Sequence, residues 1–255
     1  MRVRHLIDLF EIESRTLNAL LRQQPQLRPL FTRNFEAVDL DELKLSYLQY
    51  LKMTADYVQF TCPAFRAAGE ALSHGDQEDR SWSKVFLDYS EGETDEKEGY
   101  GHDVWAINDM KALGVSRNLL LAPPHASAVR YGEYFVDQAA RHPYAILGAK
   151  GVLEHLSIIM ADDVVDGVLQ SGILGARDAV TFMRHHGVLD IEHVREGDHN
   201  LAQSLANPQK LEQVFEGVCV ASTAYRWMLD VYVTQAAPAA HLALSLRELE
   251  DAGVN

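Results

Sequence analysis

Apolar residues recur every three or four positions along most of this chain, which is the spacing of one face of an α-helix. Sustained alternation of apolar and polar residues between turns, the mark of β-strands, is hard to find. The segment PYAILGAKGVLEHLSIIMADDVVDGVLQ, which Pro143 opens, is apolar around much of the helix circumference. The sequence therefore predicts an all-α fold with this segment as a central helix.

Turn residues and helix-stop residues divide the chain into about seven predicted helices. Their ranges are about 2–23, a long helix after Asp39, 95–113, a helix from about 126, 143–170, 176–205 and 207–236. Pro63 is expected to bend or interrupt the second helix, and the polar segment 74–94 to be partly loop. No internal repeat or linker is visible, so residues 1–255 are predicted to form a single helical domain.

The composition argues against several classes of partner. The 255 residues, 28.6 kDa in mass, include 23 lysines and arginines against 37 acidic residues, a formal net charge of −14. This charge repels phosphate backbones and anionic lipids, so neither nucleic acid nor a membrane is an expected partner. Cys62 and Cys219 form no CxxC motif, and the sequence shows no signal-peptide segment and no membrane-spanning apolar run. A protein of the reducing cytoplasm is expected.

The stretch HGVLDIEH offers two histidines and an aspartate at helical spacing. With about 100° of rotation per residue, His186, Asp190 and His193 project at about 0°, 40° and −20°, from one narrow face. Imidazole and carboxylate together suit iron, zinc or manganese. The alternative is a solvated polar surface, because His and Asp are common surface residues. The same helix carries a competing set that is expected to face water: Glu192, Glu196 and His199.

Glu98 and His102 lie one turn apart in the predicted helix 95–113, where Glu-x-x-x-His would chelate a metal ion from one helix face. The alternative is an exposed acidic helix start, since Glu98 and the acidic residues before it would also favour the positive end of the helix dipole. Trp105 on the same stripe favours a face that points inward.

Glu154 stands on an otherwise apolar stripe of the central helix. A carboxylate is costly to bury unless it is paired or bound to metal. The alternative to a metal ligand is a salt bridge with Lys150, one turn earlier, and the two roles can coexist. Three predicted helices thus offer inward-facing ligands, and three carboxylates with three imidazoles can hold two iron ions.

The motifs EGYGHDVW, VLEHLS and HGVLDIEH, in this order and at these separations, resemble those of the haem-oxygenase-like di-iron oxidases and oxygenases, which are related in fold to TenA, PqqC and CADD. The resemblance covers about residues 40–235 and implies a haem-oxygenase-like helical bundle. It also implies six metal ligands: Glu98, His102, Glu154, His186, Asp190 and His193. Some relatives space the first two ligands farther apart, which would put Asp95 in place of Glu98.

The resemblance implies a cofactor of two Fe(II) ions, with O2 as co-substrate and no catalytic residue beyond the metal ligands. Members oxidise small amino acids, amines or fatty acids by N-oxygenation, desaturation or oxidative carbon–carbon cleavage. The expected partners are a small-molecule substrate, an external electron donor and a second copy of the chain in a homodimer. Lys150 is a candidate for binding a substrate carboxylate, and the alternative is that it pairs with Glu154 or faces solvent. The alternatives are a metal-free small-molecule-binding protein of the TenA and PqqC type and a mononuclear metal hydrolase.

Overall fold

The computed structural model of the chain describes residues 2–92, 101–115, 117–205 and 207–234. The elements of this part are all helices, which confirms the predicted all-α class. The α-helices are α1 (Val3–Gln23), α2 (Arg28–Thr32), α3 (Leu40–Val58), α4 (Thr61–Leu72), α5 (Gln77–Gly92), α6 (Asp103–Ala112), α7 (Arg117–Leu120), α8 (Ala126–Asp137), α9 (Ala145–Gln170), α10 (Thr181–Ser204) and α11 (Pro208–Leu229). A 3₁₀ turn, Ala176–Asp178, precedes α10, and a π-helical stretch, Asp230–Thr234, continues α11.

Helix α9 occupies the centre of the bundle, as its apolar circumference predicted. It packs against α1, α2, α10 and α11. Its buried apolar residues include Leu147, Val152, Leu156, Met160 and Val164. Gly148 approaches α11 so closely that a Cβ there would overlap the backbone at Val214, so the two helices meet backbone to backbone. Within the described residues, none of the helices combines the length and apolar character that crossing a bilayer requires.

Helix α3 lies against α6 and α8 and forms a second wall of the bundle. Its start is set by Asp39, whose Oδ1 accepts the backbone N–H groups of Asp41 at 2.9 Å and Glu42 at 3.2 Å. The chain leaves the helix after Val58 and resumes as α4, with Pro63 in the first turn of α4. The interruption expected near Pro63 is therefore confirmed, because proline is tolerated in a first helical turn but not in a helix interior.

Helix α5 lies in the segment 74–94, which the sequence predicted to be partly loop, and residues 74–76 before it are not helical. The N–H of Asp79 donates to Asp76 Oδ1 at 2.8 Å, and the N–H of Asp76 donates to Asp79 Oδ2 at 3.2 Å. This reciprocal cap satisfies two backbone donors at the helix start. Trp82 and Phe86, one turn apart, are buried. The remaining face is polar and exposed, so the average composition concealed a narrow apolar stripe.

The described residues contain eleven α-helices, more than the seven predicted. The additions are the short helices α2 and α7, helix α5, and the division of one long helix into α3 and α4. Helix α6 begins at Asp103 rather than near residue 95, and α10 begins at Thr181 after the 3₁₀ turn. Residues 93–100 and 235–255 lie outside the described part, so the single-domain extent 1–255 stays a prediction.

Candidate metal centre

Helices α9 and α10 pack against each other and bring Glu154, Asp190 and His193 together. One possible ligand atom from each residue lies within 4.8 Å of those of the other two. Glu154 and Asp190 are buried, with 7% and 3% of their surface exposed, and His193 is half-buried. Two of the predicted ligand faces therefore meet, and these three residues, the ligand trio, form a potential site for a metal ion.

His193 lies between the two carboxylates of the ligand trio. Its Nδ1 is 3.3 Å from Glu154 Oε1 and 3.4 Å from Asp190 Oδ1. Two carboxylates raise the pKa of His193 to about 10, with Asp190 making the larger contribution and Glu154 the next, although burial opposes this shift. The imidazole is therefore protonated at neutral pH in this arrangement, and a metal ion binding there would have to replace a proton.

The two carboxylates differ in how their charge is balanced. Burial raises the pKa of Glu154, but the positive charges of Lys150 and His193 outweigh it and hold this pKa below its ordinary value. Burial also raises the pKa of Asp190. His193 opposes that shift, the negative charge of Glu154 adds to it, and the pKa of Asp190 stays raised. Glu154 is accordingly the firmly ionised member of the pair.

Both oxygens of Glu154 are already engaged by neighbouring side chains. The hydroxyl of Tyr89 donates to Oε1, and the ammonium of Lys150 forms an ion pair with Oε2. Lys150 Nζ also donates to the backbone carbonyl of His193 at 3.1 Å and lies 4.8 Å from the centroid of the Tyr89 ring. The salt bridge predicted as the alternative role of Lys150 is therefore confirmed, while its binding of a substrate carboxylate stays a prediction.

His186 lies one turn before Asp190 on α10. Its side chain lines a cavity that Glu154 and Asp190 also line. Its Nδ1 is 3.1 Å from the carbonyl oxygen of Phe182, and its ring stacks on the Phe182 ring with centroids 4.1 Å apart. A ring nitrogen can bond to a carbonyl oxygen only by donating its N–H, so Nδ1 carries the proton in the neutral ring and Nε2 carries the lone pair. His186 thus has the tautomer that a ligand binding through Nε2 requires.

His102 is buried beside His186. It stacks on the indole of Trp105 with centroids 4.1 Å and planes 13° apart, and its ring lies edge-on to that of His186 at 5.2 Å. Trp105 is itself buried, which confirms that this surface points inward. The structure therefore brings the imidazoles of His102 and His186 into contact next to the ligand trio.

The sequence placed Glu98 and His102 one turn apart on a single helix, but His102 does not lie within a helix. Helix α6 begins at Asp103, and His102 is the residue that precedes it. Gly101 lies immediately before His102, and glycine has a high conformational cost in a helix interior. Glu98 and its alternative Asp95 lie outside the described residues, so the assignment of either as a ligand stays a prediction.

Three of the candidate ligands line a cavity of about 90 Å³. Glu154, His186 and Asp190 lie on one side of it, and Met160 and Met183 line it as well. Five tyrosines complete much of the wall: Tyr50, Tyr57, Tyr89, Tyr131 and Tyr225. Burial raises the pKa of four of them, Tyr50, Tyr57, Tyr131 and Tyr225, so these phenols are neutral at physiological pH. The site is thus a polar cluster at the edge of a largely aromatic chamber.

The competing residues of α10 lie on the outside of the bundle. Glu192, Glu196 and His199 are exposed, as predicted. Glu192 pairs at 2.5 Å with the guanidinium of Arg195, which is also exposed. The helical wheel therefore separated the two metal-like sets of this helix correctly.

Two residues that support the site were not predicted. Tyr89 was placed in a partly looped segment, although its position seven residues after Trp82 and three after Phe86 marks it as part of the apolar stripe of α5. The second residue is Asp109 of α6. It is buried and accepts the N–H groups of Thr181 at 3.0 Å and Phe182 at 2.9 Å, at the start of α10. No sequence signal links Asp109 to a helix start more than seventy residues away.

The chemistry of these side chains fits iron. The ligand trio supplies two carboxylates and one imidazole, and His186 presents a second imidazole with the correct tautomer. A mixed set of imidazole and carboxylate ligands is typical of non-haem iron sites, whereas calcium and magnesium prefer oxygen ligands throughout. The residues present are therefore compatible with an iron cofactor.

Two solved structures share the architecture of this chain. One is a domain of unknown function with a haem-oxygenase-like fold from Shewanella denitrificans OS217. It is 16% identical with a TM-score of 0.67, over 88% of this chain and 92% of that chain. The other is a CADD-like protein of unknown function from Nostoc punctiforme PCC 73102, 18% identical with a TM-score of 0.53, over 88% and 98% of the two chains. The predicted haem-oxygenase-like fold is thus confirmed.

No curated protein matches the sequence. A family model described as iron-containing redox enzyme matches residues 88–226, which is 139 of the 255 residues. That range contains the six predicted ligands: Glu98, His102, Glu154, His186, Asp190 and His193. Because the match covers more than half of the 255 residues of this chain, the chain belongs to the family of iron-containing redox enzymes.

Proposed function

We propose that this protein is a non-haem di-iron oxidase or oxygenase that uses O2 to oxidise a small amino acid, amine or fatty-acid-type substrate. The observation that carries the proposal is the ligand trio, Glu154, Asp190 and His193, gathered within 4.8 Å beside a buried aromatic cavity. Membership of an iron-containing redox family supports iron as the metal. The chemistry is therefore proposed to be N-oxygenation, desaturation or oxidative carbon–carbon cleavage.

Six residues are proposed to hold the two ferrous ions: Glu98, His102, Glu154, His186, Asp190 and His193. Asp95 is the alternative to Glu98. When bound, iron would supply the activation of O2 for oxidation of the substrate. The contact between the His102 and His186 rings at 5.2 Å, next to the ligand trio, supports a centre larger than a single ion.

The protein's own groups prepare the site in three ways. His193 lies between two carboxylates and would give up its proton to bind a metal ion there. The Nδ1–H of His186 is held by the Phe182 carbonyl, which orients the ring towards the cavity. The aromatic walls exclude bulk water from the substrate.

The cavity limits the substrate to a small or narrow molecule. Its volume is about 90 Å³, and apolar and phenolic surfaces dominate its wall. Lys150 also lines it and is proposed to bind a substrate carboxylate once a metal ion has taken over Glu154. An apolar body with an acidic end would suit this chamber.

Two partners belong to the same proposal. Insertion of one atom of O2 into a substrate leaves the other atom to be reduced to water by two further electrons, so an oxygenase reaction requires an external electron donor. A homodimer is the default assembly of such helical enzymes.

The proposal is tested by anaerobic titration with ferrous ion, followed by exposure to O2. The parent protein is expected to bind about two ions per chain and to consume O2 when candidate acids and amines are added. Glu154→Ala and His186→Ala should lose most of the bound iron, whereas Glu192→Ala, on the exposed face of the same helix, should bind as the parent does. Iron binding by Glu154→Ala equal to that of the parent would show that the site is wrong.

One observation favours a second function, a metal-free small-molecule-binding protein. Glu154 is neutralised by Lys150 and hydrogen bonded by Tyr89, so this part of the cluster is stable without a metal. Elemental analysis of protein prepared anaerobically with ferrous ion separates the two functions. A folded protein that retains no iron under these conditions, yet binds a small ligand in the cavity, would favour the binding protein.

A further inference from the structure

We propose that Lys150 is an internal counter-cation that competes with the metal for Glu154 and thereby keeps the iron affinity of the centre low. The inference rests on the proposed function, since it concerns the ligands of that same site. Lys150 and Glu154 are one turn apart on α9, and their side chains are only 10% and 9% exposed. A buried ammonium therefore already occupies the neighbourhood that a metal ion would enter.

Lys150 is held in this position by several contacts. Its Nζ forms an ion pair with Glu154 Oε2, donates to the His193 carbonyl at 3.1 Å and lies over the Tyr89 ring at 4.8 Å. On α10, a Cβ at Gly197 would lie 3.2 Å from Nζ, so the glycine leaves room for the ammonium. The lysine is thus packed into the site rather than extended towards solvent.

The competition follows from the surroundings of the Glu154 carboxylate. Tyr89 and His193 approach Oε1, and Lys150 binds Oε2, so a metal ion must displace one of these groups or share an oxygen with it. A cation that remains within a few ångströms of a divalent ion also repels it, and this repulsion is strong in a poorly solvated site. Lys150 therefore stabilises the metal-free protein and opposes the metal-loaded one.

Removal of the ammonium has opposite effects on the two states. In the metal-free protein, Lys150→Met removes one of the two cations beside the buried Glu154 carboxylate, which lowers the stability of the fold. In the loaded protein the same carboxylate is neutralised by the metal, and a repulsive charge has been removed. Loss of Lys150 should therefore lower the melting temperature without metal and tighten the binding of metal.

The chain offers a matched control in the pair Lys52 and Asp56 on α3. This pair has the same four-residue spacing, and its side chains are 9% and 7% exposed. Lys52 Nζ lies 2.5 and 2.6 Å from the two Asp56 oxygens, and Asp56 also accepts the Tyr232 hydroxyl at 2.7 Å. Asp56 shares no contact with the ligand trio in the described residues. Lys52→Met reproduces the loss of a buried ion pair away from the metal ligands.

The experiment measures ferrous-ion affinity under nitrogen and the melting temperature with and without the ion, for the parent, Lys150→Met, Lys150→Gln and Lys52→Met. Lys150→Met is expected to bind ferrous ion at least about tenfold more tightly than the parent. Its melting temperature should be lower than that of the parent without metal and should rise more than that of the parent when metal is added. Lys150→Gln, which keeps a hydrogen-bond donor beside Glu154, should show the same tightening with a smaller loss of stability. Lys52→Met should melt lower but keep the parent affinity within about twofold.

The outcomes separate this inference from the proposed function. If the parent binds iron and the folded Lys150 variants bind it equally or more weakly, Lys150 is not a competitor and the inference is overturned, while the iron site stands. If neither the parent nor the variants bind iron, the proposed function fails and the inference falls with it. An increase in ferrous-ion affinity in Lys52→Met equal to that in Lys150→Met would also overturn the inference. A general destabilisation of the fold would then explain both increases.

Discussion

Asp109 supports the candidate metal centre without belonging to its ligand trio. It lies on α6, is fully buried, and accepts the first two backbone N–H groups of α10 through its two carboxylate oxygens. Val180, the residue that precedes α10, provides no side-chain cap of its own. A carboxylate from a distant helix thus takes the role of a local N-cap and fixes the helix that carries His186 and Asp190.

Stability should depend on pH through Asp109. Burial raises the pKa of this carboxyl to about 6, although the two backbone N–H groups oppose the shift. Because this folded-state pKa lies above the unfolded value of about 3.9, the contribution of Asp109 is fully present below that value and is lost as the pH rises through the folded pKa. The excess free energy of unfolding of the parent over Asp109→Asn should therefore fall between about pH 4 and pH 6, as measured by urea denaturation.

Asp109→Ala provides the comparison for this pH profile. It removes the titrating group as well as both acceptors of the helix cap, so we expect the same change of slope together with a loss of about 1–2 kcal/mol. An excess stability of the parent over Asp109→Asn that grows from pH 4 to pH 6 would contradict the raised pKa.

The candidate ligands that the sequence could predict are those whose position follows from the residue spacing within a single helix. His186, Asp190 and His193 share a face of α10, and Glu154 is a carboxylate on an apolar stripe, so spacing and burial cost made them candidates. The position of Glu98 stays a prediction. Tyr89 and Asp109 act on partners 65 and more than 70 residues away, and that pairing arises only when α5 meets α9 and α6 meets α10.

At the scale of elements, the distance between α9 and α10 determines how closely Glu154 approaches Asp190 and His193. Gly187 of α10 faces Ala161 of α9 so closely that a Cβ at Gly187 would lie 2.6 Å from the Ala161 Cβ. Gly187 is three residues before Asp190, so this contact lies beside the ligands. The two helices are thus in close contact beside the ligand trio.

A methyl group at this contact should open the metal site. Gly187→Ala is expected to cost about 1–3 kcal/mol in free energy of unfolding and to weaken ferrous-ion binding, because α10 must move away from α9. The double variant Gly187→Ala/Ala161→Gly exchanges the methyl group between the helices and should recover most of both losses. Chemical denaturation and anaerobic iron titration measure the two effects. Equal iron affinity in Gly187→Ala and the parent would show that the helix spacing does not control the site.

The elements themselves were predictable to different degrees. Helix α9 was found because it is apolar on most sides, and the break before α4 because Pro63 excludes a continuous helix. Helix α5 was missed because only a narrow stripe of it is buried. The start of α6 was misplaced because helical periodicity was extended through Gly101, which the structure places before the helix. Periodicity therefore located helix interiors more reliably than helix ends.

For the whole molecule, the net charge and the charge of the buried cluster are different quantities. The chain carries a formal charge of −14, whereas Glu154 and Asp190 are opposed inside by Lys150 and a protonated His193. Composition predicted the first of these and could not predict the second, because the cluster is assembled from two helices. The aromatic cavity likewise requires the packing of several helices together, namely α3, α4, α5, α8, α9, α10 and α11.

Metal binding should stabilise the entire fold, because its ligands join the central helix to α10. Helix α9 contacts α1, α2, α10 and α11, so global unfolding must separate the ligand trio. A ligand that binds only the folded state at about one hundred times its dissociation constant adds about 2.7 kcal/mol. For a chain of this size, we expect an increase in melting temperature of about 5–10 °C with ferrous ion under nitrogen. Scanning calorimetry measures this shift.

Two comparisons make this shift specific to the ligand trio. Magnesium at the same concentration should have little effect, because it prefers oxygen ligands and retains its water, whereas imidazole ligands favour iron. Glu154→Ala should lose the ferrous shift, since its carboxylate contacts the other two members of the trio. An equal shift in Glu154→Ala would mean that iron stabilises the fold from another place, and the centre between α9 and α10 would then have no part in the stability of the bundle.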